Sequence, residues 1–129
     1  MIPVMQTKYG EDGNCFEACL ASLLHLKISE VPNFKSYKTN GIWITKLNEW
    51  LNEKSLIYIE MLLDSKDKES FFESRDFYYI LIGKTRKNME LEHAVIGRKG
   101  EIIHDPLKKG AILLESKHLK MGILVAQCK

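Results

Sequence analysis

Net charge, long apolar runs and cysteine are all scarce in this chain, and each scarcity excludes a class of protein. Nineteen Lys and Arg against seventeen Asp and Glu leave a net charge of +2. No cluster of basic residues is interleaved with aromatics, so no nucleic-acid partner is expected. The short basic runs Lys84-Thr85-Arg86-Lys87 and Lys108-Lys109 read as solvated loops. No apolar run approaches the roughly 20 residues that span a bilayer. Met1 to Lys8 also lacks the basic region and apolar core of a signal peptide, so no membrane association is expected. Three cysteines are an odd number without an export signal, which favours a reduced, cytoplasmic setting over a disulfide scaffold.

What is present is the ordinary composition of a folded domain. Apolar residues make up 45% of the chain and charged residues 28%, which argues against disorder. A length of 129 residues predicts one domain, 1–129, with a core of useful size. Asn14 looks like a helix N-cap, with Glu17 three residues later where a capping-box acid reaches back. Phe16, Leu20, Leu23 and Leu24 follow at helical spacing, so a helix is predicted over about 15–26. Ile42, Trp43, Leu47, Trp50 and Leu51 predict a second helix, about 43–54, whose apolar stripe reads as core.

Strands gather in the second half. Leu56–Leu63 is one, and Phe77-Tyr78-Tyr79-Ile80-Leu81-Ile82-Gly83 is the clearest; its nearly continuous apolar run predicts a central position. Residues 91–97 and 101–105 predict a hairpin, and 122–127 a last strand. A short extended segment at 3–8 and a short helix near Phe71-Phe72 are also expected. Helices first and strands last indicate an α+β fold, with the N-terminal helix packed on a C-terminal antiparallel sheet.

The first helix leaves Cys15 in its first turn. Unsatisfied N–H groups and the positive end of the helix dipole favour a thiolate there. Such a thiol becomes a nucleophile if the chain supplies a base, usually histidine, and a group that orients the imidazole. His25 lies about 15 Å along the helix from Cys15, and His118 sits in the polar run Glu115-Ser116-Lys117-His118; both read as surface residues. His93 and His104 lie in the predicted hairpin, where the turn decides which of them matters. A two-residue loop, Lys99-Gly100, puts His93 and Asp105 on opposite faces and brings His104 to the His93 face. A three-residue loop, Arg98-Lys99-Gly100, pairs Gly97 with Glu101 and sets His93 directly opposite Asp105. The second suits a type I turn closed by a glycine bulge and is the favoured register. Opposed residues have Cβ atoms roughly 4.5–5.5 Å apart, close enough for a carboxylate to hold an imidazole.

Other readings of the same residues stand beside this one. Cys15 and Cys19, at i and i+4, can share a helix face and bind a metal with His93 or His104. No CxxC or HxxxH pair supports that site, so neither a metal nor a cofactor is expected. Cys19, followed by Leu20 and Leu23, reads as a small buried hydrophobe.

The runs Gly13-Asn14-Cys15-Phe16-Glu17-Ala18-Cys19-Leu20, His93-Ala94-Val95-Ile96 and His104-Asp105-Pro106 resemble the papain-like cysteine peptidase superfamily. The similarity is greatest to small bacterial and phage members related to the bacteriocin-processing (double-glycine) peptidase domains. It spans nearly the whole chain in the superfamily's order, Cys on the first helix and then His and Asp on adjacent strands. It implies Cys15 as nucleophile, His93 as general base and acid, and Asp105 as the orienting residue. It also implies a glutamine before the cysteine that donates to the oxyanion. Gln6 is the one glutamine upstream; it lies nine residues before Cys15, so the loop at 10–13 has to bulge out. The expected activity is a cysteine-dependent hydrolase, a peptidase or amidase acting on a protein or peptide through a thioester. Acyl transfer or deamidation by the same triad, and a non-catalytic papain-like module that captures a protein or peptide, are the alternatives.

Overall fold

The computed structural model describes residues 1–34, 36–37, 41–63, 76–85, 91–108 and 119–128. Helices α1 (Cys15–Leu24) and α2 (Trp43–Asn52) precede strands β1 (Leu56–Leu62), β2 (Tyr78–Lys84), β3 (Glu92–Arg98), β4 (Glu101–His104) and β5 (Lys120–Ala126). The strands form one sheet in the order β1-β5-β2-β3-β4, and every pairing is antiparallel. The fold is therefore α+β, with an N-terminal helix on an antiparallel sheet, as the order of the elements in the sequence predicts. The run Tyr79–Ile82 becomes the middle strand because its side chains have apolar partners on both faces.

One face of the sheet carries both helices. Phe16, Leu20 and Ala21 of α1 and Leu47 and Leu51 of α2 pack with Tyr58, Ile80, Ile82, Ala94 and Ile96 in a single core. Phe16 meets both Trp43 and Tyr58 edge-on, with ring centroids 5.4 and 5.5 Å apart, an arrangement that adds to simple burial. Tyr58 lies flat across β5 because Gly122 has no side chain there; a Cβ would fall 2.1 Å from the Tyr58 hydroxyl oxygen. The other face holds a smaller cluster of Leu63, Tyr79, Leu119 and Met121. No helix among the described residues is long and apolar enough to cross a membrane.

Three local expectations need correction. Helix α1 stops at Leu24, because His25 takes a left-handed conformation (φ 58°) and its N–H bonds Ala21 O. Helix α2 stops at Asn52, two residues short of the predicted end. The expected strand at 3–8 is irregular chain, held by Ile2 N–H and Val4 N–H on the carbonyl and hydroxyl oxygens of Ser22. The expected helix near Phe71-Phe72 lies outside the described residues.

The hairpin differs most from expectation. Its turn has two residues, Lys99 and Gly100, both left-handed at φ 52° and 83°, and Arg98 pairs with Glu101. This is the geometry that matches strand twist in a tight hairpin. The Tyr79 ring lies over Gly97, where an added Cβ would come within 2.2 Å of it, and its hydroxyl accepts Gly100 N–H at 2.9 Å. The bulge sits in β4 instead: Gly97 pairs with Ile102 but Ile96 pairs with His104, which leaves Ile103 as an extra residue.

Candidate active site

Cys15 is the first residue of α1, and His93 is the second residue of β3. The Cys15 thiol and the Asp105 carboxylate both act to stabilise the charged form of the His93 imidazole. Its Nε2–H donates to Asp105 Oδ1 at 2.7 Å, which leaves Nδ1 for the sulfur. Asp105 is itself fixed, because Leu107 N–H donates to the same oxygen at 2.9 Å. The three side chains named from the sequence as a triad are thus brought together in a connected chain. His93 is 6% exposed. Burial alone pulls its pKa down, but the hydrogen bonds to Cys15 and Asp105 and their negative charges outweigh it, and the net shift is upward. The site therefore favours an imidazolium beside the sulfur.

The remaining histidines and cysteines separate cleanly. His104 is buried and turned away, its Nε2–H donating to Val4 O at 2.8 Å, so it anchors the N-terminal segment. His25 is exposed at the end of α1, and His118 lies outside the described residues. Cys19 is fully buried, and desolvation pushes its thiol well above the ordinary range, with the charges of Cys15, Asp105 and Glu17 adding to the effect. It packs in the core beside Phe16 and Leu20. Cys128 is exposed beyond β5.

Gln6 reaches the site by the route its spacing demands. Its backbone N–H donates to Pro106 O at 2.9 Å, beside Asp105, while Val4 is held by Ser22 and His104. The chain then loops out through a single 3-10 turn, Gly10–Asp12, and returns at Asn14, whose N–H meets Lys8 O at 3.3 Å. The Gln6 side-chain Nε2 donates one hydrogen to that same Lys8 oxygen at 2.9 Å. This holds the amide at the neck of the loop that leads into α1. Gln6 is 7% exposed, and its Oε1 is the one buried side-chain polar atom without a partner among the described residues. Leaving such an acceptor unsatisfied costs about 1–3 kcal/mol.

Asn14 does not do what the sequence predicts. It makes no side-chain hydrogen bond to the first turn of α1, so the expected capping box with Glu17 is absent, and Glu17 is buried. Its Oδ1 instead accepts Thr7 N–H at 2.9 Å and Lys8 N–H at 3.0 Å, and its Nδ2 donates to Thr7 Oγ1 at 2.9 Å. The first helical N–H groups are therefore left without that cap, beside the sulfur. No local pattern signals this clasp, because its partners are six and seven residues away across a loop. Beside it, Thr7, Lys8, Asn14 and Glu17 face Ile28 and Val31 across a cavity of about 270 Å³. No protein-family model, curated protein or solved structure matches this chain.

Proposed function

We propose that the protein is a papain-like thiol hydrolase that cleaves an amide bond through a thioester on Cys15. The observation that carries this reading is the connected Cys15–His93–Asp105 chain, with Cys15 in the first turn of a helix. The Cys15 thiolate attacks the amide carbon, and the carbonyl oxygen takes the negative charge. The Cys15 backbone N–H and the second Gln6 Nε2–H are the donors for that oxyanion. His93 passes its Nδ1 proton to the leaving nitrogen, the C–N bond breaks, and the acyl group stays on sulfur. Water then gives a proton to Nδ1 as its oxygen attacks the thioester, and the C–S bond breaks. Asp105 holds the ring so that Nδ1 faces the sulfur throughout.

The test is a turnover screen against peptide, ubiquitin-like and glutamine side-chain amides, with Cys15→Ala as control. The expected result is product release that the control abolishes, with a mass increment of the acyl group on Cys15. Partner binding by both proteins without turnover by either would refute the hydrolase in favour of a binding module.

A further inference from the structure

We infer that Asn14 is a positioning residue, which sets the Gln6 amide for the oxyanion through the Lys8 carbonyl. The inference rests on the hydrolase reading above. Among the described residues, one hydrogen bond holds the Gln6 side chain, Nε2–H to Lys8 O, since Oε1 has no partner. Whatever fixes Lys8 O therefore fixes the amide. Asn14 does so with one direct bond and with two more to the backbone N–H groups just before it. Its Oδ1 accepts the N–H groups of both Thr7 and Lys8, and its own N–H donates to Lys8 O. The Nδ2 donation to Thr7 Oγ1 sets which way the Asn14 amide faces, so Oδ1 is presented to the backbone. Asn14 is also the residue that leads directly into Cys15, and its carbonyl accepts Ala18 N–H, the first bond of α1.

The nucleophile and the oxyanion donor come from chain segments nine residues apart, and one side chain ties them together. Without it, the loop from Lys8 to Asn14 is joined at its neck by a single backbone bond of 3.3 Å. The Gln6 amide then loses its register with the sulfur, whereas the His93–Asp105 pair, built on β3 and just past the end of β4, does not depend on it, and Cys15 keeps the Asn14 carbonyl bond that starts α1. The clasp should thus matter for forming the acyl-enzyme and not for making the thiolate.

The experiment separates those two quantities with small probes. Acylation is followed by p-nitrophenyl acetate: the ester C–O bond breaks, p-nitrophenolate is released, and acetyl-Cys15 is read by mass. Thiolate formation is followed by the iodoacetamide rate at Cys15 across pH. Gln6→Ala should slow acylation by about 10²–10³-fold, the usual loss for an oxyanion donor, and Asn14→Ala by about tenfold or more. The double variant should match Gln6→Ala within about twofold, since the two act through one group. In Asn14→Ala the alkylation rate and the midpoint of its pH profile should stay at wild-type values. Asn14→Asp, which keeps the acceptor for both backbone N–H groups, should restore the ratio of acylation to alkylation. Asn14→Ser, too short to span both N–H groups, repeats the test if the alanine variant does not fold.

Wild-type acylation in Asn14→Ala, multiplicative losses in the double variant, or alkylation that falls in step with acylation would each overturn the inference. A wild-type protein that forms no acetyl-Cys15 would overturn the hydrolase reading itself, and an unaffected Gln6→Ala would remove Gln6 from it.

Discussion

Replacing Asp105 with alanine should slow alkylation of Cys15 by about ten- to a hundredfold at neutral pH. The Nε2–H···Oδ1 bond is 2.7 Å long, in the range of charge-assisted bonds. The two side chains are 7% and 19% exposed, so solvent screens them little. A hydrogen bond to a charged group contributes about 1.5–3 kcal/mol, and about 1.4 kcal/mol is a factor of ten. Loss of the bond lowers the population of thiolate–imidazolium pairs by that factor, and alkylation reports the population directly. The assay is iodoacetamide labelling read by mass at each cysteine, with buried Cys19 as the internal slow site. Asp105→Asn keeps an acceptor for His93 and for Leu107 N–H, so its rate should fall between those of wild type and the alanine variant. His104→Ala should label at the wild-type rate, because that imidazole serves Val4. Unchanged labelling in Asp105→Ala, or slow labelling in His104→Ala, would refute the assignment of His93 and Asp105 as the activating pair.

Two further outcomes follow from the same contacts. His104→Ala removes the 2.8 Å bond to Val4 O from a buried position and should destabilise the fold by about 1–3 kcal/mol; an unchanged urea midpoint would mean that the N-terminal segment is held by Ser22 and Pro106 alone. The His93 pKa is raised in the folded protein above the ordinary 6.5, so the folded state binds that proton more tightly than the unfolded chain. Its stabilising contribution is then full below 6.5 and is lost as pH rises through the raised value. Urea unfolding from about pH 6 to 9 should show that decline in wild type and a flatter curve in His93→Gln; identical curves would contradict the upward shift.

The layout of this fold was legible because long-range packing agrees with local pattern. The apolar run Tyr79–Ile82 is buried on both faces, so it could be placed in the middle of the sheet without knowledge of its neighbours. Helix α1 was legible in position but not in its cap, because Asn14 at an N-cap position has a stronger competitor. The Thr7 and Lys8 N–H groups of an irregular segment need an acceptor, and no periodicity reveals that the loop brings them there. Gln6 was legible in kind, since it is the one glutamine ahead of Cys15. Its geometry depends on the Pro106 carbonyl, a contact between chain segments 100 residues apart.

The hairpin teaches more, because the pair His93–Asp105 is reached from the sequence through a turn that does not form. Side chains alternate along strands, so which residues share a face depends only on whether the extra residues in the hairpin are odd or even in number. A two-residue turn with regular strands puts His93 and Asp105 on opposite faces. One extra residue restores them to the same face, and it does so equally well in the turn or in a strand. Turn chemistry alone favours the turn, since Arg98-Lys99-Gly100 suits a bulge closed by glycine. The fold puts the extra residue at Ile103, because the Tyr79 ring covers Gly97 and its hydroxyl takes the Gly100 N–H, which fixes Lys99-Gly100 as the tight turn. Continuing the register past Ile96 and His104 sets Asp105 across from Val95, a diagonal neighbour of His93 and not its direct partner. Diagonal neighbours on one face remain within reach of long side chains, and the 2.7 Å bond spans that offset. Parity was therefore the part of the hairpin that sequence reasoning could carry to the site. The register itself was set by a tyrosine on another strand, where no local pattern could disclose it.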